Sequence, residues 1–327
     1  MGPHYTRILR LVSEHPWAML PARLATIIEL LEFRAAGHMF TDEEIQARIG
    51  AGPRPVAHGG PIAVLPLHGV LAPRMTMFTQ VSGGTSAEAF GRTFRAAIAD
   101  PDISAVVLDV DSPGGSVFGI EELAAVIHGA RGRKPVVAVA NTLMASAAYW
   151  VASQADEILA SPSAQVGSIG VIGVHQDLSE AEAKEGIRTT LVTAGKYKGD
   201  GSEHAPLSDT ARAAMQQIVD SYYTAFTQDV SRGRAVSVGA VRDGFGEGQV
   251  LPAKLALKEG LIDGIGTLEQ VVARLAGGSQ RAAVRAEEDH PPAIEAEAAE
   301  VPPPALPVEV LAEIEEFRRR LAATAGR

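Results

Sequence analysis

A serine and two lysines are the residues of this sequence whose types and spacing favour nucleophilic chemistry. Ser146 lies in the stretch 135–155, which has no charged residue, and Lys196 and Lys198 follow later in the chain. A serine hydroxyl is a weak nucleophile until a base removes its proton. Lysine can be that base only where dry surroundings lower its pKa from about 10.4 toward about 7–8. The two lysines are two positions apart and would share one side of a strand, so spacing alone does not choose between them.

The position of Ser146 is more informative than its residue type. Small residues such as serine often serve only to let a helix pack closely, and on type alone that interpretation is the stronger one. However, Ser146 follows a predicted strand and begins a predicted helix. The backbone amide of Ala147 would then lack a partner within the helix and could hold a developing oxyanion.

Two glycine-containing turns could complete such a site. Gly114 and Gly115 follow a predicted strand, where they are either an ordinary turn or a place where backbone amides approach a carbonyl oxygen. Ser168 lies in a second turn, Val166–Val171, which is either a simple loop or the source of a hydroxyl that holds a neutral lysine amine. The nine histidines lie outside recognised hydrolase and metal motifs, although His68, His175 and His204 remain possible partners.

The elements that would position these residues alternate between strand and helix. Short apolar runs predict strands, and the segments between them have helical periodicity. The predicted strands are 62–65, 105–110, 136–140, 158–160 and 189–194, and the predicted helices are 86–99, 120–130, 208–232 and 253–260. This order predicts βαβ units, a parallel sheet and the α/β fold class.

Composition excludes several classes of function. The chain has 327 residues and no cysteine, so disulfides and cysteine-based zinc sites are impossible. Its net charge of -10 argues against nucleic acid as a partner. The N-terminal residues lack the order of a signal peptide, and 135–155 contains too many polar residues for a membrane span, so we expect a cytoplasmic protein without a membrane anchor.

Five segments together resemble the signal peptide peptidase A family of serine peptidases. They occur in the family's order over roughly residues 60–275. The segments are 111–115, 144–150, 166–171, 195–198 and 256–263. The resemblance implies a Clp-protease/crotonase-like fold, with Ser146 as nucleophile and Lys198, the second lysine of its pair, as general base. It further implies that Ser168 orients the lysine, and that the oxyanion amides come from Gly114, Gly115 and Ala147.

The two ends of the chain resemble the phage and prophage branch of that family, whose members are capsid-maturation (prohead) proteases. We predict a helical arm over 1–50, a linker over 51–61, a peptidase domain over 62–276 and an Ala/Glu/Pro-rich disordered linker over 277–305. An amphipathic helix over 306–327 would dock on a partner.

The resulting expectation is a Ser/Lys endopeptidase without metal or cofactor that cleaves capsid or scaffold proteins, its own tail included. By resemblance it forms a homo-oligomeric ring, in the cytoplasm or within a phage procapsid. Three alternatives stay open: a catalytically silent assembly protein, a cytoplasmic peptide-degrading enzyme of the same family, and an acyl-CoA enzyme of crotonase type. The last would need acidic residues near the oxyanion turn, such as Glu121 and Glu122.

Overall fold

The computed structural model describes residues 16–35, 57–59, 61–74 and 84–276. These residues belong to the first of two compact units, Met1–Ala286; the second unit is Glu287–Arg327. Residues 1–15 and 36–50 of the predicted helical arm, the linker over 277–305 and the helix over 306–327 lie outside the described residues.

The strands and helices follow the predicted alternation. The strands are β1 (Trp17–Met19), β2 (Ala57–Gly59), β3 (Ile62–His68), β4 (Leu71–Ala72), β5 (Thr85–Ser86), β6 (Ala105–Ser112), β7 (Gly114–Ser116), β8 (Val136–Ala145), β9 (Glu157–Ala160), β10 (Gln165–Gly167), β11 (Val250–Pro252) and β12 (Gly264–Ile265). The helices are α1 (Pro21–Ala35), α2 (Ala87–Ala99), α3 (Ile120–His128), α4 (Ala147–Ala152), α5 (Ser179–Lys184), α6 (Asp209–Arg234), α7 (Val238–Asp243), α8 (Ala253–Lys258) and α9 (Leu268–Ala276).

The central sheet is mainly parallel, which confirms the α/β class. Strands β3, β6 and β8 are parallel neighbours, and β2 and β11 add antiparallel edges. Strand β8 has two partners on its other side: its first half pairs with β9, and residues 143–145 pair with β10. This division brings β10 beside the end of β8, directly before Ser146.

A second, smaller sheet lies beside the end of β8 that precedes Ser146. Its strand order is β1-β7-β4-β5. Strand β7 follows β6 after a single residue, Pro113, and runs antiparallel to β1 and parallel to β4. The range predicted as a linker, 51–61, ends in the short strand β2.

The core lies on both faces of the central sheet. Alternate residues of β6 face opposite sides, as expected of a strand: Val106 and Leu108 belong to the larger apolar cluster, and Val107 belongs to a smaller one under α9. Helices α2, α3, α4 and α6 contribute to the larger cluster.

Within the described residues, no helix is both long enough and apolar enough to cross a membrane.

The strand predicted at 189–194 is wrong. These residues have neither helical nor strand structure, and Leu191 and Val192 are exposed. A β-branched run becomes a strand only when a neighbouring strand accepts its backbone hydrogen bonds. In the part of the chain that the structure describes, residues 189–194 take part in none of the strand pairs of either sheet.

Candidate active site

Ser146 occupies the turn between β8 and α4 in a backbone conformation that is rare for a residue with a side chain. Its φ is 55° and its ψ is -120°, and the residue is 0% exposed. Such a conformation costs about 1–3 kcal/mol and persists only where the surroundings enforce it. The sharp strand–turn–helix geometry resembles the elbow that carries the nucleophile in α/β-hydrolases, although the G-x-S-x-G sequence is absent.

Strand β10 holds this turn from one side. The Ser146 amide donates a hydrogen bond to the Gly167 carbonyl at 2.8 Å. The Ser146 hydroxyl donates to the Gly170 carbonyl at 3.4 Å. Because Ala145 is in register with Gly167, Ser168 follows directly alongside Ser146. Ser168 is also buried and has a positive φ of 56°. The two serines predicted for the site therefore lie at adjacent strand ends.

Strand β7 holds the turn from the other side. Gly114 has a φ of 96°, and a Cβ on it would lie 3.0 Å from Ser146 Cβ. A Cβ on Gly115 would lie 1.9 Å from the Leu71 carbonyl oxygen. Both positions therefore require glycine. The Gly114 amide already donates to Ser112 Oγ at 3.2 Å, which leaves the Gly115 amide as the better oxyanion candidate of the two.

Helix α4 is anchored by buried polar contacts that fix the direction in which the Ala147 amide points. Trp150 Nε1 donates to Asp229 Oδ2 at 2.7 Å, and its ring stacks on Phe226 with centroids 4.5 Å apart. The Tyr149 hydroxyl donates to the Leu261 carbonyl at 2.8 Å. Complete burial raises the pKa of Tyr149, so this hydroxyl keeps its proton and its role as a donor. The first amides of a helix have no intrahelical partner, so the Ala147 amide is a possible anion donor.

Lys198 lies apart from this buried cluster. Its side chain is exposed and lines an open cavity of about 470 Å³. A neighbouring cavity of about 730 Å³ reaches Ile172 and shares His175 and Met215 with the first. The surface thus continues from Lys198 toward the strand end that carries Ser168. Lys196 lies with its Nζ 4.9 Å from the centre of the Tyr197 ring.

The other candidate side chains have different partners. His68 Nε2 lies 3.0 Å from Asp109 Oδ2, and His204 Nδ1 lies 2.7 Å from Glu182 Oε1. His175 lines the two cavities beside Lys198. The acidic residues considered for an acyl-CoA enzyme, Glu121 and Glu122, are exposed in the first turn of α3.

Two features of the site escaped the sequence analysis. The strain at Ser146 has no signature in residue type, although the following alanines are compatible with a close turn. The segment Trp17-Ala18-Met19 carries no motif that predicts a place in the site, yet it pairs with β7 directly beside Ser146. Its alternation of a large, a small and a large apolar residue is a weak strand signal that could have indicated a buried strand.

Comparison with known proteins is consistent with this arrangement. Residues 129–281 match the model of peptidase family S49, a range that includes Ser146, Ser168 and Lys198. The chain is 36% identical over 202 residues to the capsid assembly protease C of Escherichia phage lambda, covering 62% of this chain and 46% of that protein. It is 32% identical over 247 residues to the head-tail preconnector protein GP5 of Enterobacteria phage P21, covering 74% and 48% respectively.

A third relative connects the chain to the signal peptide peptidases. It is the putative signal peptide peptidase SppA of Enterococcus faecium, 28% identical over 176 residues, or 53% of this chain and 50% of that protein. The chain spans about half the length of the two phage relatives. The motifs, the family match over residues 129–281 and these relatives all point to peptidase family S49.

Proposed function

We propose that this protein is a serine endopeptidase in which Ser146 is the nucleophile and Lys198 the general base. The observation that carries the proposal is the strained, fully buried conformation of Ser146 between Gly114 and the Gly167–Ser168 turn. A strained residue of this kind indicates a functional position, because a merely structural serine would not need a strained backbone conformation. The match of residues 129–281 to a peptidase family supports the same conclusion.

The reaction follows from the groups at the site. The uncharged Lys198 amine removes the Ser146 proton, and Oγ attacks the carbonyl carbon of the scissile peptide. The Gly115 and Ala147 amides stabilise the oxyanion of the tetrahedral intermediate. When the C–N bond breaks, the lysine returns the proton to the leaving amine. Water then attacks the acyl-enzyme by the same route and restores the serine. In this scheme the Ser168 hydroxyl orients the lysine amine.

Assembly is part of the proposal because Lys198 is exposed in the single chain. The neighbouring segment 187–197 carries four exposed apolar side chains, those of Ile187, Leu191, Val192 and Tyr197. Exposed apolar groups in one segment are typical of an interaction surface. A second copy of the chain that covers this segment would shield Lys198 from water, as a lysine base requires. We therefore propose a homo-oligomer, consistent with a ring.

The proposed substrates are capsid or scaffold proteins during phage head maturation, cleaved within a procapsid. The relatives named for capsid assembly and for the head-tail preconnector support this assignment. Removal of a scaffold requires cleavage of extended segments, and such segments bind proteases by adding to a strand edge.

Cleavage of a co-expressed scaffold protein and of an unstructured peptide tests the proposal. We expect Ser146→Ala to lower kcat by about 10⁴-fold or more, and Lys198→Ala to lower it by at least about 10²-fold. Lys184→Ala, a change at an exposed lysine outside the site, is the matched control. Full activity in either site variant would refute the dyad.

A further inference from the structure

The strand β1 lies where an extended peptide would have to bind. On one side it pairs antiparallel with β7, in the register Trp17↔Ser116, Ala18↔Gly115 and Met19↔Gly114. On the other side Trp17 exchanges two backbone hydrogen bonds with Ile172, each of 2.8 Å. Strand β1 thus fills the space between β7, which carries the candidate oxyanion amide of Gly115, and the segment from Ser168 to Ile172.

The hydrogen-bond pattern places the Ala18 carbonyl at the candidate oxyanion amide. The Leu20 amide donates to the Pro113 carbonyl at 3.0 Å, and the Val117 amide donates to the Pro16 carbonyl at 3.4 Å. Hydrogen-bonded pairs alternate along antiparallel strands, so Ala18 and Gly115, midway between these two contacts, form the next such pair. The Gly115 amide therefore faces the Ala18 carbonyl oxygen.

Ser146 lies close to the same carbonyl. The point where a Cβ on Gly114 would lie is 2.2 Å from the Ala18 carbonyl oxygen and 3.0 Å from Ser146 Cβ. Ser146 itself has no exposed surface. A peptide whose carbonyl is to be attacked must reach this place, so it cannot bind while β1 is there.

The side chains of β1 show what the groove accepts. Ala18 is completely buried and belongs to the main apolar cluster. Trp17 and Met19 point to the other face, where they pack with Leu24, Ile27 and Val70. In a closely packed surrounding, a side chain larger than alanine at the central position would force its neighbours to move. The flanking positions, in contrast, hold large apolar groups.

We propose that Trp17-Ala18-Met19 occupies the peptide-binding groove of this site in cis and identifies its ligand class. The ligand is an extended main chain with an alanine-sized residue between two large apolar residues. A substrate of this kind must displace β1, so the chain is inactive until a substrate has done so. This inference rests on the proposed function, since the groove is a substrate groove only if Ser146 is the nucleophile.

Binding of a peptide in trans tests occupancy without any catalysis. The probe is a fluorescent synthetic peptide of residues 13–22, and the protein is the full chain carrying Ser146→Ala, with or without Ala18→Pro. Proline at position 18 removes the amide that pairs with Gly115 and so weakens β1. We expect the probe to bind the double variant at least about tenfold more tightly than the single variant, the equivalent of one or two lost backbone hydrogen bonds.

The same assay tests the size of the central residue. A probe in which the position of Ala18 holds leucine should bind the double variant at least about tenfold more weakly, and a scrambled probe should not compete. Equal binding of the alanine and leucine probes, or equal binding to both proteins, would overturn the proposal.

A reversible lock provides a second test, independent of the proline variant. The chain has no cysteine, so Trp17→Cys with Ser116→Cys introduces one possible disulfide. Directly opposed residues outside the hydrogen-bonded pairs have Cα atoms about 4.5 Å apart, which a disulfide can span. We expect the oxidised chain to cleave peptide at least about tenfold more slowly than the reduced chain. The single-cysteine variants should not respond to oxidant, and equal rates for the oxidised and reduced double variant would contradict occupancy.

The two tests separate failure of this inference from failure of the proposed function. If the probe binds as expected, but peptides are cleaved neither by wild type, nor by the reduced double-cysteine variant, nor by Ala18→Pro with Ser146 intact, then β1 occupies a peptide-binding groove and the peptidase assignment falls. Suppose instead that cleavage depends on Ser146, that Ala18→Pro leaves probe affinity unchanged and that the disulfide leaves the cleavage rate unchanged. The peptidase assignment then stands, and occupancy of the groove by β1 is refuted.

Discussion

At the scale of single residues, the site depends on glycine where the chain passes itself closely. Gly115 lies so near Leu71 that a methyl group would overlap the Leu71 carbonyl oxygen, at 1.9 Å, and its amide nitrogen, at 2.6 Å. Gly114 is restricted by its positive φ, by the Ala18 carbonyl oxygen and by Ser146. The chemical role proposed for Gly115, donation by its amide, thus coincides with a strict requirement for the absence of a side chain.

The substitution Gly115→Ala should therefore impair both stability and activity. Strands β4 and β7 would have to separate, which we expect to lower the free energy of unfolding by about 2–3 kcal/mol. The displaced amide would also lower kcat/KM by at least about tenfold. Urea denaturation and peptide cleavage measure the two effects.

Gly239→Ala is the matched control, because Gly239 is exposed in α7 and a methyl group there meets only ordinary contacts. It should change stability by less than about 1 kcal/mol, in the stabilising direction, and leave cleavage unchanged. A Gly115→Ala protein that resembles this control would argue against the close approach to Leu71.

At the scale of elements, the short helix α4 is held in place by the long helix α6. Six residues form too short a helix to be stable alone, so its position depends on tertiary contacts. Asp229 of α6 accepts the indole proton of Trp150, and the Asp229 carbonyl accepts from Gln154 Nε2 at 2.8 Å. Gly233 of α6 passes the end of α4 so closely that a Cβ would lie 2.1 Å from the Ser153 carbonyl oxygen. The orientation of the Ala147 amide thus depends on residues distant in sequence.

Asp229→Ala should destabilise the protein by about 2–3 kcal/mol, because it leaves the buried indole N–H of Trp150 without an acceptor. Asp229→Asn retains an oxygen for this hydrogen bond and should cost less. Chemical denaturation with tryptophan fluorescence as the signal measures both. Asp220→Ala, on an exposed position of the same helix, should cost less than about 0.5 kcal/mol. Equal losses for positions 220 and 229 would show that the buried hydrogen bond contributes nothing.

At the scale of the whole molecule, the buried nucleophile contrasts with the exposed segment that carries the proposed base. Val192 is 95% exposed, and three further apolar side chains of the segment 187–197 are more than half exposed. A single chain gains nothing from exposing these groups, whereas an assembly could bury them. We therefore expect completion of the active site to coincide with assembly.

Val192→Asp should dissociate the proposed oligomer while leaving the fold of each chain intact. A charge on a fully exposed residue changes the stability of a single chain by less than about 0.5 kcal/mol, but burial in an interface would be costly. Light scattering coupled to size-exclusion chromatography should detect lower mass, and cleavage should fall in parallel. Leu255→Asp, at another exposed apolar residue, is the control. An unchanged mass for the Val192 variant would remove this segment from the interface.

The sequence alone was sufficient for the α/β class and for the location of Ser146 between a strand and a helix. These features depend on local periodicity: the apolar runs of β6 and β8 and the helical stripe of α6 lie within a few residues of where they were predicted. The motifs around Ser146, Ser168 and Lys198 also indicated the peptidase family that residues 129–281 match. Local patterns determine such features because hydrogen bonding and burial repeat with the period of the element.

Only the tertiary structure decided the strain at Ser146, the neighbours of Gly115 and the place of β1. Each depends on strands that pair across long sequence distances, such as Ala18 with Gly115 and Ala145 with Gly167. The failed strand at 189–194 has the same cause, because a strand exists only where a partner accepts its hydrogen bonds. Chemistry-bearing residues are thus recognisable one by one along the chain, but the geometry that activates or blocks them is set by the contacts of the folded molecule.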